Sequence, residues 1–348
     1  GSPVPHATLT SIRENATLHI SEDAERSPMN PDQPNPSRRR FDRWIVDAAK
    51  AFARWFDTET AADPGADAHR IDWVRVIPFI GLHGAALVGL WFVGFSWFAF
   101  WTAVALYALR MFAITGFYHR YFSHKTFKTS RPVQFLFALV GAASVQRGPL
   151  WWAAHHRNHH RHSDTELDVH SPVTRSFFVS HMGWFLTKAG FRTDRTVIKD
   201  LLQFPELRLL DRFDVFVPVA LALALFVLGG WLETHRPEYG TSAAQLLIWG
   251  FFVSTVVLFH ATVTINSFAH RFGSRRYKTR DDSRNNWLLA LITFGEGWHN
   301  NHHHFPGSAR NGFFWWEYDL TFYLLKLMSW CRLVWDLKPV PPQLKHAR

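Results

Sequence analysis

The chain has 348 residues and a formal charge of +10; 47% of them are hydrophobic, 16% aromatic and 19% charged, with one cysteine. The lone Cys331 excludes an internal disulfide and a built-in rubredoxin or iron–sulfur domain, whose clusters take four thiolates, so any redox partner is a separate molecule. The basic residues are interleaved with apolar spans and not gathered on one soluble domain, which sets nucleic acid aside and favours anionic membrane lipids and an acidic, phosphate-bearing substrate.

Residues 1–72 are rich in Pro, Ser, Asn, Asp and Arg and are expected to be mostly disordered. Within them, FDRWIVDAAKAFARWF at 41–56 spaces Trp44, Ile45, Ala48, Phe52, Trp55 and Phe56 for one helical face, predicting an amphipathic helix on the bilayer or on the main domain. The apolar stretch that follows is too long for one crossing and predicts two, at 77–94 and 97–116, with a turn between. A second pair is predicted at 215–232 and 246–265, joined by the polar loop that starts at Glu233. Two hairpins leave both ends of each on one side. That side carries Arg38 to Arg40, the basic stretch 192–212 and the run from Arg271 to Arg280, so it and both termini are expected to face the cytoplasm of a bacterial inner membrane. His83 and His260 fall inside crossings, belong to no cluster, and read as hydrogen-bonded structural residues. Segments 119–212 and 266–340, including a helix near 132–143 too short to span, then form a cytoplasmic cap on a membrane domain covering 73–340.

The cap is where the histidines gather. WWAAHHRNHHRH at 151–162 puts His156, His159 and His160 at i, i+3 and i+4, one face of a helix. His299, His302 and His303 repeat that spacing, and upstream come His119 and His124. Asn266 and His270 lie four apart at the inner end of the last crossing and aim into the same region. These nine imidazoles exceed the tetrahedral shell of one zinc, so two metals sharing them is the natural division. Imidazole suits iron, copper, nickel and zinc alike; a histidine-rich pair under a bilayer, approached by aromatic walls, points to oxygen activation and hence to iron. Asp164, Glu166, Asp168 and Glu296 are spaced to accept from the ligands' second ring nitrogens. His155, His162 and His304 break the pattern and are placed beside the ligands or at the surface. Gln146, Trp152 and Lys188 are the candidates for substrate contact.

The fold class expected is therefore all-α and integral to the membrane: four crossings in two hairpins beneath a helical cap that holds a dimetal site. At these residues the chain resembles the membrane fatty acyl desaturase family, most closely the acyl-CoA Δ9 (stearoyl-CoA type) branch in its bacterial-like form. HRYFSH matches the first histidine box, HRNHH the second, HNNHH within GEGWHNNHHHFP the third, INSFAH the Asn-plus-His element, and FFVSHMGWFL the stretch after the second box. The resemblance implies one iron on His119, His124, His156, His160 and His302. It implies a second on His159, His270, His299 and His303, with Asn266 acting through a water. It also implies O2 as co-substrate, a saturated acyl thioester as substrate and an external ferredoxin-, rubredoxin- or cytochrome-type electron donor. Ala154, His155, Lys188 and Ala189 depart from the charged residues that meet the CoA head in the animal enzymes. Two rival readings are a di-iron hydroxylase of a lipid or alkane, separated by its alcohol product, and a histidine-rich metal transporter, which would line its crossings with ionisable residues.

Overall fold

A computed structural model describes residues 36–60 and 65–345, so most of the tail expected to be disordered lies outside the described residues. The chain divides into a leading unit up to Asp47 and a main unit from Ala48. Helix α1 is Pro36–Phe56, five residues longer at its start than the spacing predicts. In the leading unit its apolar residues Phe41 and Trp44 stack at 6.1 Å and stay exposed. In the main unit Phe52, Trp55 and Phe56 pack together, and the Trp55 indole donates to the Val74 carbonyl at 2.5 Å. The boundary expected at 72 is displaced for a physical reason. Residues 68–72 hydrogen-bond backbone to backbone with 186–189, which makes them part of the cap.

Among the described residues four helices are long and apolar enough to cross a membrane: α2 Trp73–Val93, α3 Trp97–Ser123, and, after the cap's first half, Phe216–His235 and Ala243–Ser267. At about 1.5 Å per residue the shortest reaches roughly 30 Å, the thickness of a bilayer's hydrocarbon layer. Gly94, at φ +66°, makes the left-handed turn of the first hairpin, and the Ser96 hydroxyl caps α3 by accepting from the Ala99 N–H. Gly240 also takes a positive φ, +56°, in the second hairpin, and Ser96 donates to its carbonyl at 2.8 Å, tying the two loops at one end. Outward faces carry Leu87, Trp91 and Phe92, all largely exposed and apolar, as a lipid-facing surface requires. Arg110, nearly fully buried, ties α3 to the fourth crossing and the cap by donating to Thr255 (2.7 Å), Ser254 (2.5 Å) and the Ala143 carbonyl (3.1 Å).

The crossing expected to end at 116 continues unbroken to Ser123, its last eleven residues wound as a π-helix. The cap follows: α4 Arg131–Ala142, α5 Pro149–His162, α6 Pro205–Arg212, then α7 Phe216–His235 and α8 Ala243–Ser267 as the second hairpin, and α9 Trp287–Ile292, α10 His299–His304 and α11 Leu320–Trp330. Lys128–Thr129 and Val334–Trp335 pair antiparallel as β1 and β2, closing the cap's end on its beginning. The core beneath the first box is aromatic: Phe117 stacks on Phe137 at 4.1 Å, and Tyr118 donates to the Ala138 carbonyl at 2.8 Å. Gly141 permits that approach, since a Cβ there would stand 2.2 Å from the Tyr118 ring.

Candidate metal centre

His119 and His124 are five residues apart, which on an α-helix would aim them about 140° from each other at 100° per residue. The π-helical winding narrows that difference. Its i→i+5 ladder, seen in the bond from the His124 N–H to the His119 carbonyl at 3.2 Å, brings the two rings to 4.9 Å. Helix α5 presents His156, His159 and His160 as the spacing predicts. Arg157 on its other side locks it by pairing with Asp200 (2.6 Å) and donating to the Phe122 and Ser123 carbonyls. In α10 the division of labour is similar. Asn300 and Asn301, fully buried, grip the backbone of Arg276 and Tyr277 and the side chains of Asn285 and Glu317, which leaves His299, His302 and His303 to face α5.

Two groups result. The ligand nitrogens of His119, His124, His156, His160 and His302 all lie within 4.8 Å of one another, and so do those of His159, His270, His299 and His303. The groups adjoin, with His160 and His303 stacked at 4.4 Å. Within them Nε2 atoms stand 3.0 Å apart for His119 and His302, 2.8 Å for His124 and His156, 2.9 Å for His160 and His302, and 3.0 Å for His270 and His299. Ligands at right angles on metal–nitrogen bonds of about 2.1 Å would stand about 3.0 Å apart, so the spacing fits a first-row ion at each centre.

Carboxylates fix which nitrogen points inward. Glu296 meets His119 Nδ1 at 2.6 Å, Asp168 meets His159 at 3.0 Å, Asp164 meets His270 at 2.8 Å and Asp281 meets His303 at 2.7 Å. Each carboxylate requires the proton on Nδ1 and so leaves a bare lone pair on Nε2. The Nε2 of His303 is buried and has no hydrogen-bond partner, an orphaned acceptor that a cation would satisfy. Burial, reinforced by neighbouring imidazoles, holds His124, His156, His160, His299 and His302 well below the ordinary histidine value. Burial likewise brings His303 down to about 4 against the pull of Asp281. Burial works to raise the carboxyls of Asp164, Asp168, Asp281 and Glu296, but the imidazoles beside them prevail. Asp164 is brought down to about 2 and the other three also lie below the usual carboxylate range. At neutral pH these six imidazoles are therefore uncharged nitrogen donors beside a ring of carboxylates, a donor set suited to a bound metal.

An apolar groove of about 740 Å³ reaches this centre, lined by Gln146, Trp152, His156 and Asn266 and by residues of the crossings such as Phe79 and Phe251. Its volume lies within the usual range for a buried small-molecule site. The fatty acid desaturase family model matches residues 95–328. The chain is 37% identical over 271 residues to an sn-1 stearoyl-lipid 9-desaturase of Anabaena variabilis, covering 77% of this chain and 94% of that one. The chain belongs to the fatty acid desaturase family. Other relatives of this desaturase are an acyl-CoA 5-desaturase of Anemone leveillei, 38% identical over 290 residues with 80% and 85% covered, and an sn-1 stearoyl-lipid 9-desaturase of Synechocystis, 36% identical over 300 residues with 85% and 89% covered. Its membership and its four apolar helices make it an integral membrane oxidoreductase.

Not every residue singled out in the desaturase sequence reaches the centre. Glu166 is exposed and meets Arg175 only through its backbone carbonyl, because the turn that inserts Asp164 and Asp168 points the residue between them to solvent. Lys188 lies outside the groove lining, its ammonium 3.6 Å from Asp67. Asn266 lines the groove, but His270 falls beyond the end of α8 in a turn, so the two do not share a helical face. His155 meets the Arg192 carbonyl at 3.0 Å and His304 stacks on Tyr277 at 4.2 Å, both outside the two groups, as does His162. His83 accepts its expected structural role, meeting His260 at 3.2 Å and the Phe79 carbonyl at 2.8 Å. Two buried groups are additions. Asp281 stands among arginines in RRYKTRDDSR, where it reads as surface charge, and His170, two residues after Asp168, bonds to that carboxylate at 2.9 Å beside His159. The Asp-x-His spacing was the one available signal for His170.

Proposed function

We propose that this desaturase introduces a double bond, at the Δ9 position, into a saturated long-chain fatty acyl thioester, with acyl-CoA as the carrier. The convergence of nine imidazoles in two adjoining groups, with His156 in the wall of an apolar groove, carries the reading. His119, His124, His156, His160 and His302 would hold one iron and His159, His270, His299 and His303 the other, with Asn266 placed at the groove wall to act through a water. A di-iron centre there would supply O2-dependent oxidation, in which O2 takes two hydrogens from the chain, two electrons from an external ferredoxin-, rubredoxin- or cytochrome-type donor and two protons, and leaves as two waters.

The remaining work falls to this chain's own residues. Glu296, Asp168, Asp164 and Asp281 hold their imidazoles in one tautomer and orientation. Trp152 stacks on His156 at a centroid distance of 5.1 Å, and Gln146 donates to Thr262 at 3.0 Å, which fixes both side chains in the wall beside the first group. The basic flanks of the hairpins support an inner-membrane placement with the centre and both termini cytoplasmic. Expression in a desaturase-deficient bacterial host, with gas chromatography of its fatty acids, tests the proposal. A Δ9 monoene from stearate or palmitate is the expected product; an alcohol would replace desaturation by hydroxylation, and an unaltered profile in a cell with a working electron donor would overturn both.

A further inference from the structure

Helix α9 exposes most of its apolar surface. In WLLALI the buried residues are Leu289 and Ala290, whereas Trp287 is 64% exposed and Leu288 and Leu291 are open as well. At about 100° per residue these three cover one side of the helix. Helix α11 is apolar on two sides. Thr321 and Leu325 enter the core, and Leu320, Tyr323, Leu327 and Trp330 leave the other side as an exposed stripe. That stripe is about 80° wide. Trp330 is 71% exposed, and Lys326 lies exposed at the stripe's edge. The two faces adjoin, because the Tyr318 hydroxyl donates to the Trp287 carbonyl and the Thr321 N–H to the Phe294 carbonyl at 2.9 Å. An apolar surface of this extent on a folded protein marks something that covers it.

The crossings beside α9 show what does. The Ser96–Gly240 bond sets the starts of α3 and α8 at one level. A hydrocarbon layer of about 30 Å takes roughly 20 residues, so α3 leaves it near residue 116 and α8 near residue 262. Ile292 and Phe294 pack against Met111, Leu258 and Ala261, and the Tyr107 hydroxyl donates to the Ile292 carbonyl. Tyr107 and Met111 lie about 14 and 8 Å inside that limit, so the end of α9 meets α3 at acyl-chain depth. Its backbone is equipped for that depth. The Asn286 side chain accepts from the N–H groups of Leu288 at 3.1 Å and Leu289 at 3.2 Å, and the Thr293 hydroxyl donates to the Leu289 carbonyl at 2.6 Å. The Trp287 and Ile292 carbonyls each accept from a tyrosine hydroxyl. At an aqueous surface water would serve these groups; in hydrocarbon only the protein can.

We infer that α9 and the outer stripe of α11 are seated in the cap-side leaflet of the bilayer, so that the cap is wedged into the lipid and does not merely sit above it. Acyl chains cover Leu288, Leu291, Leu320 and Leu327, the rings of Trp287, Tyr323 and Trp330 take the head-group level, and Lys326 faces anionic phosphates. This goes beyond the reaction proposed above and does not depend on its substrate. Glu296 and α10 follow α9 within a few residues, so the seat fixes the depth at which His299, His302 and His303 meet the other imidazoles.

The test places a nitroxide at single positions of the full chain in a Cys331→Ser background, since Cys331 is the chain's one thiol. Leu288→Cys and Leu327→Cys sample the seat, Leu87→Cys the outward face of α2, and Glu166→Cys the exposed surface of the cap. In nanodiscs of phosphatidylcholine and phosphatidylglycerol in equal parts, power saturation reads collisions with O2, which concentrates in hydrocarbon, and with a water-soluble nickel chelate. Iron content and melting midpoint identify a misfolded variant, for which Leu291→Cys or Tyr323→Cys stands in. The oxygen-to-nickel ratio at both seat positions is expected to shift most of the way from the Glu166 value to the Leu87 value. A ratio equal to that at Glu166 would overturn the inference. So would exclusion of both reagents with spin–spin broadening, which would show that a second copy of the chain covers this face.

Discussion

Substitution of Asp281 examines how the second histidine group keeps its metal. The carboxylate accepts the Nδ1–H of His303 at 2.7 Å, and a buried, otherwise unpartnered Nε2 faces inward on the same ring. Asp281→Asn keeps an acceptor oxygen but removes the charge, and a neutral hydrogen bond is roughly half as strong as a charge-assisted one, a loss of about 1 kcal/mol. Asp281→Ala leaves the Nδ1–H buried without an acceptor, which costs about 1 to 3 kcal/mol and frees the ring to rotate. Metal affinity at the second group is therefore expected to fall about fivefold in the Asn variant and ten- to a hundredfold in the Ala variant. Titration of the purified variants with a chelator, with iron followed by plasma mass spectrometry, gives both affinities, and half the iron should leave early while the first group keeps its share. Three indistinguishable titrations would refute the idea that Asp281 orients His303 for a metal.

Further expectations follow from the same geometry. His302→Ala and His159→Ala each remove a ligand from a different group, so each should abolish turnover and cost about one iron per chain; a fully loaded, active variant of either would contradict the partition. In metal-stripped protein the buried imidazoles stay neutral where the unfolded chain protonates, so stability is full above pH 6.5 and falls as pH drops toward the folded values, about 4 for His303. Each such histidine contributes a slope of about 1.4 kcal/mol per pH unit in that window, and a melting midpoint that is flat between pH 7 and 4.5 would be inconsistent with it. Gly141→Ala drives a methyl to within 2.2 Å of the Tyr118 ring and should destabilise the cap by about 1 to 3 kcal/mol, seen as a lower melting midpoint with reduced iron content.

Sequence reasoning recovered the residues whose neighbours are set by helical period. His156, His159 and His160 declare their shared face because α5 is an ordinary α-helix, and the four apolar runs declare the crossings because a bilayer demands that length. The first box is less direct. Five-residue spacing points two histidines apart until the helix winds as π, and nothing in AITGFYHRYFS states that it will. The carboxylates depend on turns: Asp164 reaches His270 with its backbone at φ +58°, and Glu166, two residues on, is carried outward by the same turn. Asp281 was hidden for a related reason, since a charged residue beside arginines looks solvated until the partner packed over it is known. The boundary at 72 moved because backbone pairing with 186–189 joins segments distant in sequence.

The central claim is that nine imidazoles in two adjoining groups grip a pair of irons. Mössbauer spectroscopy of 57Fe-enriched protein purified from membranes, with total metal counted on the same sample, addresses it directly. Two irons per chain in nitrogen-rich, inequivalent sites, one losing its signal in His159→Ala and the other in His302→Ala, is the predicted result. A single zinc, or iron whose spectrum neither substitution changes, would contradict it.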